Sequence, residues 1–109
     1  MTNLISDLKT AGYYERSFGI IVTLRVQEAK ESELLEQIKI AVPATRKEKG
    51  CIQYDFSRDL KEPFYTIYER WENGTALEAH LGFDYTKNLL AKLGEVGSET
   101  TIRLTSLIL

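Results

Sequence analysis

One histidine, one tryptophan and one cysteine stand in this chain of 109 residues. Chemistry that needs an imidazole, an indole or a thiolate therefore has one place to happen. His80 has the residue type of a general base, because an unperturbed imidazole titrates near pH 6.5, close to neutral. Glu69 stands two residues before Trp71, on the same side of an extended chain. It would orient a base or bind a substrate hydroxyl, or else form an ion pair with Arg25 across a sheet. Tyr54, Tyr65 and Tyr68 offer phenolic hydroxyls. Tyr65 shares the parity of Trp71, and Tyr68 does not. Phe83 and Tyr85 flank a helix break near Gly82, the place for a pocket lid or for helix–sheet core. Cys51 opens a strand with no base beside it in sequence, which suits a small packed residue rather than a nucleophile. The carboxylates, His80 and Cys51 show no metal-site spacing, so no metal is expected. Gly94 and Gly97 lie beside Glu95 and Glu99, which would repel a phosphate.

The elements that must position these groups follow from the apolar pattern. Phe18–Val26 is dense in β-branched residues and reads as a strand, with Ile20, Val22, Leu24 and Val26 on one face and Ile21, Thr23 and Arg25 on the other. From Lys30 the period becomes helical through Leu34, Leu35, Ile38, Ala41 and Val42. The acidic run Glu28–Glu36 then reads as its solvated face. Pro43 should kink or shorten this helix, and Gly50 should end it. Cys51–Arg58 alternates as a second strand, Asp59–Pro63 has turn chemistry, and Phe64–Trp71 is a third strand, giving an antiparallel hairpin. Asn73-Gly74-Thr75 opens a second helix, broken near Gly82, and Thr100–Leu109 reads as a fourth strand. Residues 1–17 read as an N-terminal arm with a short helix stopped by Gly12, and 18–109 as the domain. The arm would cap a partner's cavity or fray.

The order βαββαβ is the ferredoxin-like, split-βαβ α+β arrangement, a four-stranded antiparallel sheet with two helices on one face. The bare face, roughly 400 Å² before side-chain relief, would be covered by a second copy. In such a sheet-to-sheet dimer Tyr65, Ile67, Glu69 and Trp71, which share parity, would line an enclosed cavity.

The net charge of −2 gives no electrostatic drive toward nucleic acid or an anionic membrane. A single cysteine permits no internal disulfide, and Asp7 and Lys9 interrupt the only apolar stretch near the N-terminus. A soluble, cytoplasmic protein is the expectation.

Three segments carry a resemblance: Arg46-Lys-Glu-Lys-Gly50-Cys51-Ile-Gln-Tyr54, then Tyr68-Glu69-Arg-Trp71, then Ala76-Leu-Glu-Ala-His80-Leu81. In this order and spacing, from Phe18 onward, the chain resembles the antibiotic-biosynthesis-monooxygenase-like proteins. The resemblance implies a homodimeric α/β barrel. Some members oxidise anthrone- or quinol-like molecules with dioxygen and no prosthetic group, the substrate itself being the reductant. One related branch degrades haem, and another isomerises a phosphorylated sugar. The haem branch's proximal His position falls on Leu90 here, and Thr23 or Arg25 stands where it has Asn, so haem is not expected.

On that resemblance Trp71 walls the cavity, stacking on an aromatic substrate and donating its N–H. His80, Trp71 and Glu69 form the expected catalytic set. Tyr65, Ile67, Arg25, Thr23, Phe83 and Tyr85 form the expected substrate-binding set. The function so implied is cofactor-independent monooxygenation of a small aromatic or quinol-type molecule. An isomerase of a small polar or phosphorylated carbonyl compound, using Arg25, Arg58 and Arg103, is the alternative enzyme. A non-catalytic small-molecule-binding barrel is the alternative of another class.

Overall fold

The computed structural model describes residues 3–109. Its order is α1 (Leu4–Ala11), β1 (Phe18–Val26), a short 3-10 turn (Glu28–Lys30), α2 (Glu31–Thr45), β2 (Cys51–Arg58), β3 (Phe64–Trp71), α3 (Gly74–Leu81), α4 (Asp84–Val96) and β4 (Gly97–Thr105). The four strands form one antiparallel sheet in the order β2-β3-β1-β4. This is the ferredoxin-like α+β fold, with an open sheet in the single chain. No helix among the described residues is long and apolar enough to cross a membrane.

Register decides which side chains face the helices. Phe18, Ile20, Val22 and Leu24 of β1 stand opposite Trp71, Glu69, Ile67 and Tyr65 of β3. Ile20, Leu24, Ile67 and Trp71 are almost wholly buried. They pack on residues of α2, α3 and α4 such as Leu34, Val42, Leu77 and Leu89. Tyr65, Ile67, Glu69 and Trp71 therefore line the helix-covered interior. That corrects the expectation that they line a cavity between two sheets: parity grouped them correctly, and only the helices decide which face is covered. The bare face carries instead Ile21, Thr23, Thr66, Tyr68, Arg70, Thr101 and Arg103, a mixed surface rather than an apolar one.

Two element boundaries differ from the sequence expectation. Strand β4 begins at Gly97 because Gly97 and Ser98 pair with Val26 and Arg25 across a bulge. It ends at Thr105, opposite Gly19, where β1 runs out of residues to pair with Leu107–Leu109. Helix α2 runs past Pro43 to Thr45. The chain then turns through Gly50, whose φ of +84° is in the left-handed region and whose missing side chain leaves room for Ala76. This turn carries Glu48.

The arm is tied down. Asn3 caps α1 through the Ser6 N–H, and Gly12 ends it in the left-handed conformation. Leu8 is 1% exposed, in the cluster that holds Trp71 and Leu77. The Gly74 N–H donates to the Tyr14 carbonyl at 2.6 Å, the Tyr14 ring fills the space over Gly74, and the Tyr14 hydroxyl bonds Glu78. The arm thus clasps α3 of its own chain. Leu8→Ala will lower unfolding stability by about 2–5 kcal/mol, the range for a buried leucine. Urea denaturation giving a loss below about 1 kcal/mol would show that α1 is not part of the core.

Candidate functional site

Glu48 from the α2–β2 turn, Tyr54 and Trp71 from the sheet, and Tyr85 and Thr86 from the next helix meet at His80. The imidazole sits in the last turn of α3 and is buried. From the α2–β2 turn, Glu48 places both carboxylate oxygens near Nδ1, at 3.0 and 3.1 Å. From the first turn of α4, the Tyr85 hydroxyl donates to the same carboxylate, and the Thr86 hydroxyl lies 3.4 Å from Nδ1. From the sheet, the Trp71 ring lies 4.7 Å from the imidazole between centroids, and Tyr54 approaches edge-on at 5.4 Å. Beside them the Trp71 indole N–H donates to Glu69 at 2.9 Å.

The electrostatics follow from burial. It holds the His80 imidazole below its ordinary value, against the upward pull of Glu48, so the ring is neutral at pH 7. An ionised carboxylate only accepts, so Glu48 selects the tautomer with the proton on Nδ1. That leaves the Nε2 lone pair free to accept a proton, and no hydrogen bond to Nε2 forms among the described residues. Burial pushes Glu69 up to about 7, and the nearby Glu48 charge adds to the rise while the Trp71 bond opposes it. Glu69 is therefore a carboxyl that changes state near neutrality, and both its forms are accessible to a ligand. Burial, with Glu48 and Glu69, also pushes the Cys51 thiol up to about 11, which keeps it protonated and a poor nucleophile. Tyr54 and Tyr85 are raised too, chiefly by burial.

Of the residues singled out in the sequence, the structure brings together His80, Trp71, Glu69 and Tyr85. Phe83 stacks on Tyr85 at 5.2 Å, with planes 8° apart, and is 43% exposed, forming the outer layer over this cluster. Ile67 packs in the neighbouring core cluster with Leu24 and Leu34. Tyr65 is drawn to the other end of the sheet. Its hydroxyl donates to Glu31 at 2.6 Å, and Arg58 also grips Glu31. These three border an open groove of about 410 Å³ floored by Ile38 and Phe56. The groove's charged groups pair with one another, and His80 lies outside it. Thr23 and Arg25 lie on the bare face. Thr23 bonds Thr101, and Arg25 pairs with Glu62 and Glu99 at 3.3 and 3.0 Å. Arg25 therefore does not reach Glu69, which lies on the opposite face of the sheet.

Two members of the cluster were not read from the sequence. Glu48 lay inside the Arg46–Gly50 segment, where only the helix-ending cations drew attention, and Thr86 gave no signal. A carboxylate partner for a lone histidine is set by which turn folds over it, 32 residues away.

Comparison with known proteins bears on the fold and the family. An uncharacterised protein of Synechocystis sp. is 28% identical over 102 residues, 86% of this chain and 67% of that protein. The crystal structure of a candidate antibiotic biosynthesis monooxygenase from Caulobacter crescentus CB15 superposes with a TM-score of 0.79 at 26% identity, covering 93% of this chain and 98% of that one. A conserved protein from Methanosarcina mazei Go1 gives 0.73 at 27% identity, over 84% of this chain and 92% of that one. The sequence profile described as antibiotic biosynthesis monooxygenase matches residues 17–92, which takes in every residue around His80. The chain belongs to the antibiotic biosynthesis monooxygenase family.

Proposed function

We propose that the protein is a cofactor-independent monooxygenase of a small aromatic or quinol-type molecule, using dioxygen and working as a homodimer. The observation that supports this most is the Glu48–His80 pair set against the Trp71 ring: a neutral, correctly tautomerised base beside a flat aromatic wall. His80 Nε2 accepts the substrate's phenolic or enolic proton. The resulting imidazolium is held by Glu48, whose own charge is steadied by the Tyr85 hydroxyl. Trp71 and Tyr54 flank the ring. Protonated Glu69 donates to a substrate carbonyl, and its ionised form accepts from a hydroxyl. The dry surroundings leave the substrate anion poorly solvated and so more reactive toward dioxygen.

The balance closes without an external reductant. The substrate loses two hydrogens and gains one oxygen atom, and the second oxygen leaves as water. The anion passes electrons to dioxygen directly. Access runs through the α3–α4 junction at Gly82–Phe83, the outermost layer over the cluster. The acidic character of the cluster favours an uncharged ligand over a phosphorylated one. Arg25 and Arg58 are engaged by acidic partners elsewhere, and Arg103 lies on the bare face.

Oxygen uptake by the purified, metal-free protein against a panel of hydroquinones and anthrones tests the reading. Uptake well above the uncatalysed rate, with one oxygen atom from labelled dioxygen in the product, is the expected result. Uptake at the background rate with folded protein across the panel would reject it.

A further inference from the structure

Two hydroxyls beside His80, those of Thr45 and Tyr54, have no role in the chemistry set out above. Thr45 closes α2 and is 0% exposed, and its Oγ1 has no hydrogen-bond partner among the described residues. A threonine inside a helix commonly gives its hydroxyl to the carbonyl four residues back, and here that bond to Ala41 is not made. A hydroxyl withdrawn from water without a partner is unfavourable unless something supplies one. The Tyr54 hydroxyl is its neighbour: burial, Glu69 and Glu48 hold this phenol above its ordinary range, while the Thr45 hydroxyl draws it down. Tyr54 is therefore a neutral donor at pH 7. The two hydroxyls do not close a bond with each other, since Thr45 Oγ1 is left unpaired.

Both belong to the helix-covered interior. Tyr54 stands opposite Glu69 in register, and its ring lies 5.4 Å from the imidazole and 6.5 Å from the Trp71 ring between centroids. A phenol oxygen lies less than one ring width from its own ring centre. The hydroxyl pair, Glu69 and His80 are thus within reach of one small ring laid against Trp71. In the tautomer that Glu48 selects, His80 Nε2 accepts, whereas the hydroxyls donate. The complementary ligand presents an O–H at one point and an acceptor oxygen at another. When its O–H bond breaks, the proton rests on Nε2 and the electron pair spreads through the ring onto a conjugated carbonyl. Donors already aimed at that second oxygen stabilise the charge as it develops. Glu69, pushed up to about 7, loses its donor proton near neutrality, and the two hydroxyls keep theirs.

We infer that Thr45 and Tyr54 form an oxyanion-binding pair that holds a second, conjugated oxygen of the substrate, and that they select a hydroxy-carbonyl arene over a simple phenol. This rests on the proposed reading in taking His80 as the base. It narrows the substrate to a ring whose anion is shared between two oxygens.

Calorimetric titration with para-hydroxyacetophenone and para-ethylphenol, which share an outline and differ in the carbonyl oxygen, tests the pair. The wild type should bind para-hydroxyacetophenone more tightly by about tenfold or more. Thr45→Val and Tyr54→Phe should each weaken its binding by about three- to tenfold, the worth of one hydrogen bond, and that of para-ethylphenol by less than about twofold. In both variants the bound para-hydroxyacetophenone should ionise at higher pH, read from the longer-wavelength absorbance of its phenolate. A merely structural role would leave that pH in place. Thr45→Val carries the test alone if Tyr54→Phe does not fold, and it should keep or raise the urea midpoint, because it removes a hydroxyl without a partner. Equal binding of the two probes by the wild type, binding of neither, or equal losses for both in the variants would overturn the pair. So would a Thr45→Val midpoint well below that of the wild type. Selective binding without oxygen uptake would reject the proposed reaction and leave the hydroxyl pair standing, and uptake without selectivity would do the reverse.

Discussion

Exchanging His80 for alanine will lower kcat on any substrate the protein oxygenates by about 10²–10⁴-fold, the usual contribution of a positioned general base. Glu48→Gln isolates the reason. The carboxylate fixes the Nδ1–H tautomer and pulls the imidazole pKa upward against burial, so an amide in its place should leave the ring less basic. The acid limb of the kcat/KM profile, which reports protonation of His80 in the free enzyme, should then move to lower pH, and kcat should fall on the plateau. A purely structural Glu48 would lower stability without moving that limb. The assignment is wrong if His80→Ala retains more than about a tenth of wild-type kcat, or if Glu48→Gln leaves the limb in place. Tyr85→Phe is the milder companion, since it removes one hydrogen bond to Glu48 and leaves the carboxylate.

The second large effect is on stability. Glu69 has an ordinary value of 4.5 and is pushed up to about 7 by burial. The folded protein therefore holds a proton on Glu69 that the unfolded chain has already released between those two values. In that window the native state binds more protons, so stability falls as pH rises through it and levels off above about pH 7. The shift corresponds to about 3 kcal/mol at most. Glu69→Gln removes the ionisation and can still accept from the Trp71 indole. It should be more stable than wild type by about 2–3 kcal/mol at pH 8, with the difference closing as pH is lowered toward 4.5. His80 works in the opposite sense. Its folded value is depressed, so the unfolded chain binds a proton below about pH 6.5 that the folded state resists, and stability falls on acidification. The two trends partly offset in the wild type, which is why the comparison with Glu69→Gln is the informative one. A stability difference that does not change with pH, measured by urea unfolding from pH 4.5 to 8, would show that Glu69 is not held in a state that disfavours its charge.

These effects depend on contacts of different legibility. The strand at 18–26, the hairpin 51–71 and the broken second helix were all readable, because apolar residues repeat with period two in strands and near 3.6 in helices whatever surrounds them. The same periodicity put Glu69 and Trp71 on one side of β3. It could not say that this side faces α2, α3 and α4, since a strand's two faces differ in sequence only by what later covers them. Fold family followed from ordered local motifs. The candidate site followed only in part: His80 and Trp71 are recognisable by being unique, whereas Glu48 looks like one charged residue among several in an exposed turn.

The sequence by itself determined the element types, their order, the family and the residues with the chemical capacity to act. The tertiary structure alone decided that Glu48 and Tyr85 converge on His80, that Tyr65 is committed to Glu31, and that Arg70, whose Nη1 has no partner among the described residues, lies on the face the helices leave open. The physical reason is range. Propensity and periodicity are written into a few neighbouring residues. Basicity, tautomer and charge complementarity arise from groups that meet only after 30 or more residues of chain have folded back, as Glu48 and His80 do.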